Sequence, residues 1–214
     1  MSGGSLARPR GRPGSRPLRA GTAFRQAGFS LVELLFATGV AGVLSMAAIP
    51  AMRHAIDRHQ TGGAVRLVQT TLQQARTLAV ARGSTVAVRF VGHGDEVGFS
   101  VHVDGDRDGV SAADVVDGND PLIIPVRTLA GFGEARFGIW PHIMSPDGVP
   151  FPDPDPIRVG TSDAVSFTPS GTATGGSLYI RGANRQQYVI RIDGDTGRTR
   201  VLRYLETQRS WGAM

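Results

Sequence analysis

Between Phe29 and Ile49 the chain runs for 21 residues in which Glu33 is the one side chain able to carry a charge. At about 1.5 Å per helical residue this is long enough to cross a hydrocarbon core of about 30 Å, so the pattern predicts a membrane-spanning helix. Beyond Pro50 the helical period continues. Val65, Val68, Leu72, Ala75 and Ala79 recur at spacings of three and four and draw one apolar stripe. The stripe predicts a stem helix over 51–83 that ends at Gly83, with softer points at Pro50 and at Gly62-Gly63. Arg53, Arg58, Arg66, Arg76 and Arg82 then fall on a solvated face. After Gly83 the period changes to two. Val86, Val88 and Phe90, then Phe99, Val101 and Val103, alternate with polar or small residues around a Gly-His-Gly-Asp turn and predict a hairpin. Further strands are expected over 122–126, 135–139, 164–168, 177–181, 187–192 and 198–205. Six prolines between Pro141 and Pro156 exclude a strand interior there and predict an exposed loop. A long helix followed by short strands and turn residues gives an α+β fold, with the helix laid against antiparallel sheet.

Charge adds direction to this picture. All 23 basic residues are arginines, and Arg8, Arg10, Arg12, Arg16, Arg19 and Arg25 precede the apolar run with no acid among the first 28 residues. That asymmetry predicts a cytoplasmic N-terminus and an extracytoplasmic C-terminal domain. The segment 1–27 is mostly Gly, Pro, Arg and Ser, too poor in apolar residues to build a core. Beyond it the charge is close to balanced but unevenly spread, with an acidic middle from Gly92 to Asp163 and a basic tail from Leu178 onward. The absence of cysteine removes disulfides, thiolate metal sites and cysteine nucleophiles.

A carboxylate five residues into an apolar run needs a partner, because burying an acid in a bilayer is costly. The residues around it carry a resemblance. Gly28-Phe29-Ser30-Leu31-Val32-Glu33-Leu34-Leu35, followed by an apolar run that ends at Pro50, resembles the processing signal of type IV prepilins and type II secretion pseudopilins. The resemblance implies cleavage by a prepilin peptidase and methyltransferase between Gly28 and Phe29, methylation of Phe29, and pairing of Glu33 with a neighbouring subunit's N-terminus during assembly. The alternative is a plain signal anchor. The stretch from Leu72 to Val88 is similar to the GspH/FimT family of minor pseudopilins through its Ala75-Arg76 pair, Ala79 one turn later and Arg82 before a strand. The same family is echoed in Phe167-Thr168-Pro169-Ser170-Gly171 and in Gly197-Arg198-Thr199-Arg200-Val201. The implied organisation is a cytoplasmic leader over 1–28, a transmembrane part of the helix over 29–50, a stem over 51–83 and an antiparallel β domain over 84–214. The implied location is the inner membrane, with the β domain in the periplasm, and then a pilus or pseudopilus. The implied partners are other pilins or pseudopilins.

Two surface clusters invite chemistry. Asp104, Asp106 and Asp108 with Gly109 open a calcium loop, yet Val115 stands where a bidentate Glu should close it, so a weak cation loop and a solvated turn both stay open. In the tail, Asp193-Gly194-Asp195-Thr196 predicts a hairpin turn that sets Arg191 opposite Arg198 and leaves Arg191, Arg198 and Arg200 on one outer face. Such a face suits phosphate contact. Some FimT-like minor pilins are associated with DNA uptake in natural competence through a Gly-Arg-x-Arg pattern, and Gly197-Arg198-Thr199-Arg200 fits it. The same tetrapeptide equally suits a solvated strand or a protein contact. The five histidines show no metal-ligand or hydrolase spacing, so no enzyme and no cofactor are expected.

Overall fold

In the computed structural model, which describes residues 28–92 and 97–214, helix α1 (Leu31–Arg82) runs through Pro50 and stops where Gly83 takes φ 63°. The leader and the tip of the first hairpin lie outside the described residues. The chain divides into two compact units, Met1–Ser45 and Met46–Met214. In the first, the described residues hold helix whose side chains are all exposed.

In the second unit the predicted stripe is the buried face of α1. Val65, Val68, Leu72, Ala75 and Ala79, joined by Ala64, are fully buried. Each Val or Leu so buried contributes about 1.5–3 kcal/mol relative to an exposed position. Gly62-Gly63, read as a soft point, is instead a contact: a Cβ on Gly63 would lie 2.9 Å from the Phe132 ring, so its absence lets the ring approach the helix.

Among the described residues ten strands follow: β1 (Val86–Val91), β2 (Gly98–Val103), β3 (Leu122–Arg127), β4 (Arg136–Phe137), β5 (Ile157–Val159), β6 (Ala164–Phe167), β7 (Gly176–Arg181), β8 (Gln187–Ile192), β9 (Thr199–Leu205) and β10 (Ser210–Ala213), with a short helix α2 (Ala112–Asp117) before β3. They build two antiparallel sheets, one ordered β3-β2-β1-β6 and one ordered β10-β9-β8-β7-β4, with β5 also paired to β7. One hydrophobic cluster draws on α1 and on both sheets. Phe90 and Phe99 of the first sheet meet Phe137 of the second edge-on, at 5.6 and 6.2 Å between centroids. The expected fold class is therefore the observed one.

Three features differ from the sequence reading. Helix α2 and strands β5 and β10 are too short to show a period, and β10 exists because Ser210–Ala213 pairs back on Leu202–Leu205. The proline-rich loop is exposed but anchored. Met144 O accepts the Trp211 indole N–H at 2.9 Å and Phe151 meets Tyr179 edge-on at 5.0 Å, which lays the loop over the outer face of the second sheet. The β8–β9 hairpin is two residues longer than the turn chemistry suggested. Arg191 pairs with Arg200 and Ile192 with Thr199, and Asp193 N–H donates to Arg198 O at 2.9 Å. A shift of two preserves which face each side chain takes, so Ile190 and Val201 still face the core.

Candidate functional site

At the N-terminal end, Gly28 and Phe29 precede the first helical turn, and Leu34 N–H donates to Ser30 O at 3.0 Å. Glu33 lies in that first turn, where a carboxylate also favours the positive end of the helix dipole. Phe29 is 81 % exposed and Leu31, Val32, Leu34, Leu35 and Phe36 are exposed with it. From Leu31 to Ile49 the helix carries mostly apolar side chains, and the described ones are exposed, which makes it long and apolar enough to cross a membrane.

The acidic loop is organised by backbone hydrogen bonds. Asp104, 6 % exposed at the end of β2, accepts from Arg107 N–H at 2.6 Å and Gly109 N–H at 3.2 Å, and its own carbonyl accepts from the Ser84 hydroxyl. Asp120, fully inside, accepts from Gly105 N–H at 3.3 Å and Ser111 N–H at 2.9 Å. Gly105 has no alternative, because a Cβ there would lie 2.0 Å from Asn119 O. Ser111 then caps α2: its hydroxyl oxygen accepts from Asp114 N–H at 3.1 Å while its hydroxyl donates to the Asp114 carboxylate. Ser111 and Asn119 together hold the Asp114 carboxyl below its ordinary value, and Asp106 pushes Asp108 up, first through their hydrogen bond and then through like charge. Asp104, Asp106 and Asp108 do bring oxygens within 4.8 Å of one another. Val115, where the loop should close, is a residue of α2 instead. Sequence reading missed Asp120, whose Asn-Asp-Pro context is an ordinary turn signal with nothing to mark burial.

The basic tail is where separate stretches meet. Arg191 donates to Asp147 of the proline-rich loop at 2.8 Å, whereas Arg198, in the turn just before β9, and Arg200, opposite Arg191, are exposed. Arg76, read as a solvated arginine, is half-buried, and its Nε–H donates to Gly171 O at 3.3 Å. Gly171 and Gly197 both take left-handed conformations, φ 86° and 61°. A Cβ on Gly197 would stand 2.3 Å from Gly171 O and 3.0 Å from Arg76 Nε. The Ala-Arg pair of α1, the Phe-Thr-Pro-Ser-Gly turn and the Gly-Arg-Thr-Arg strand entry therefore form one junction. The Asp193 carboxylate accepts from Thr196 N–H at 2.9 Å and from the Thr196 hydroxyl at 2.7 Å, which holds its carboxyl below the ordinary range.

The nearest approach to catalytic geometry is Ser100 with His102. Asp120 O can only accept, so His102 Nδ1 donates to it at 3.2 Å, and Nε2 accepts from the Ser100 hydroxyl at 3.1 Å. Both residues are buried on one strand with a backbone carbonyl as third partner, an arrangement that ties β2 to the loop before β3 and offers no substrate access.

An uncovered apolar helix at the N-terminus, continuing into a stem buried on antiparallel sheet, defines the pilin-like class of membrane-anchored assembly subunits. Residues 64–197 match the family model for type II transport protein GspH, and the chain belongs to that family. GspH proteins are structural pseudopilins, so a type II secretion pseudopilin-like role and association with other pseudopilins follow from membership. No curated protein and no solved structure matches the chain.

Proposed function

We propose that this chain is a minor pseudopilin, a non-enzymatic subunit that is cleaved between Gly28 and Phe29, methylated at Phe29 and incorporated into a type II secretion pseudopilus or a type IV pilus. In this reading 1–28 is a cytoplasmic leader, 29–50 spans the inner membrane, 51–83 is the stem and 84–214 is the periplasmic β domain. The observation that carries it is the uncovered helix with one carboxylate in its first turn. In a bilayer or a helical bundle, Glu33 is costly without a cationic partner, and the amine created by cleavage on a neighbouring subunit supplies one. Glu33→Val should leave membrane insertion intact and lower incorporation into filaments in a crosslinking assay. Equal incorporation of the Val variant removes the assembly role of Glu33. Intact mass of the membrane-extracted protein should correspond to a chain starting at methylated Phe29, and an uncleaved N-terminus would contradict the processing.

A DNA-binding minor pilin of natural competence is the second reading, favoured by the exposure of Arg198 and Arg200 at the entry to β9. It is the weaker of the two. Arg191 is already engaged by Asp147, and Gly197 of the same tetrapeptide has a packing role of its own.

A further inference from the structure

Helix α2 is braced at both ends although it covers no part of the core. Ser111 caps it, Gly118 ends it at φ 85°, and Asp120 N–H donates to Asp114 O at 3.1 Å. None of its residues is buried, and Val116, at 84 %, is the most exposed large apolar side chain among the described residues. Asp117 beside it is exposed, as are Asp106 and Asp108 of the preceding loop, with Arg107 the one cation between 104 and 120. The result is a stiff peg, apolar at its point and acidic around it. Stiffness of this kind lowers the ordering cost of a contact.

A cleft of about 700 Å³ elsewhere in the same unit has the complementary lining. Pro141, Ile143, Met144 and Tyr204 give it apolar walls, and Arg185, Glu206 and Arg209 give it charge. The volume is within the range of about 300–1,000 Å³ typical of occupied clefts. Glu206 is paired with Arg185 at 3.1 Å, whereas Arg209 has no ion-pair partner among the described residues. The cleft therefore carries one unmatched positive charge. Asp117 on the peg is likewise without an ion pair among the described residues. Arg185, Arg209 and His142, which also lines the cleft, hold φ 57°, 47° and 69°, and they are half of the described non-glycine residues with positive φ. Strained backbone of this kind clusters where a protein clamps a ligand.

Peg and cleft lie far apart on one molecule, so neither can serve the other within a copy. The peg is tied to the end of α1, where the Ser84 hydroxyl donates to Asp104 O at 2.6 Å and Asp104 N–H donates to Thr85 O at 2.9 Å. The cleft is tied to the stem much earlier, since Asn184, next to Arg185, donates to Asp57 at 2.8 Å. About 25 residues of helix, about 38 Å, separate Asp57 from Arg82. We propose that α2 of one copy seats in this cleft of a second copy, with Val116 against Ile143, Met144 and Tyr204 and Asp117 on Arg209. The two halves of the contact are different surfaces at opposite ends of one domain. Each pair of copies then keeps one free peg and one free cleft, and the contact extends as an open stack. The inference rests on the reading of the chain as an assembly subunit and identifies the neighbour as a second copy.

The chain contains no cysteine, which leaves a clean background for disulfide trapping. Full-length Val116→Cys and Met144→Cys chains carrying tags of different mass are co-expressed and the membranes are oxidised. A mixed disulfide between the two tags is expected, with neither variant dimerising alone and none formed between Val116→Cys and a control at the exposed Val80, Val80→Cys. Arg209→Glu in the Met144→Cys chain should slow trapping about fivefold, the upper worth of an exposed ion pair. Adding Asp117→Arg to the Val116→Cys chain should restore the rate, which a folding defect would not allow. No mixed disulfide, or an equal yield with the Val80→Cys control, overturns the contact. A Val116→Cys homodimer would mean that like surfaces meet, and overturns it as well. Trapping of a different protein at position 116 in place of the second copy overturns the choice of partner. A parent chain recovered in filaments while the cysteine pair stays unlinked defeats this contact alone, whereas a parent chain absent from filaments defeats the assembly reading itself.

Discussion

Gly197→Ala probes the junction at Arg76. The new Cβ would sit 2.3 Å from Gly171 O, well inside contact distance, and the facing atom is backbone that cannot rotate away. Holding alanine at φ 61° costs about 1–2 kcal/mol. Moving the Gly171 carbonyl breaks its bond to Arg76, a loss of about 1.5–3 kcal/mol for a charged donor. The sum, about 3–5 kcal/mol, is a large part of a typical stability of about 5–15 kcal/mol. For a unit of this size it corresponds to a fall in melting temperature of roughly 6–20 °C. The control is Gly148→Ala, which shares the positive φ at 77° but has open space around the new methyl. Thermal and urea unfolding of the detergent-solubilised chain, followed by near-UV circular dichroism, compares the two. If Gly197→Ala destabilises no more than Gly148→Ala, the junction does not exist as described. A Gly-Arg-x-Arg glycine can therefore be required for folding alone, and loss of DNA binding in a Gly197 variant would not identify a DNA contact.

Other outcomes follow from the same geometry. With Arg191 held by Asp147, two exposed arginines are left for phosphate, so any DNA binding should be sequence-independent, with a slope of log K on log salt near −1.8 at about −0.9 per contact; Arg198→Gln with Arg200→Gln should abolish it, and unchanged binding by that variant excludes the tail as the DNA site. Calorimetry with calcium should give dissociation constants weaker than the roughly 10⁻⁷–10⁻⁵ M of complete sensor loops, because Val115 replaces the bidentate acid; a submicromolar isotherm lost in Asp106→Ala would refute that. Asp193 and Asp114 have depressed carboxyl pKa values, so their stabilisation is fully present above the ordinary carboxylate range and lost as pH falls through the depressed values. Acid titration should accordingly release the Thr196 amide, which donates to the Asp193 carboxylate, as measured by hydrogen exchange, while Asp193→Asn should flatten that dependence.

Local periodicity was sufficient for much of this protein. The stem stripe, the first hairpin and most strands are legible because a buried helix face repeats near 3.6 residues and a buried strand face near two, and each signal is complete within a dozen residues. Face assignment in the tail was equally legible, since Ile190 and Ile192 demand one side whatever the turn length. Distances across the sequence were not. Arg76 and Gly171 are separated by 95 residues, Arg191 and Asp147 by 44, and nothing in either neighbourhood distinguishes such an arginine from a solvated one. The two-residue error in the hairpin has the same origin, because the turn was extended by Gly197 packing on Gly171 and not by the local preferences of Asp193–Thr196. Burial of polar groups such as Asp120 and Gln187 depends on which backbone amides and carbonyls the fold brings to them. A polar side chain is retained inside only when tertiary structure completes its hydrogen bonds, and that condition is written in no single stretch of the chain.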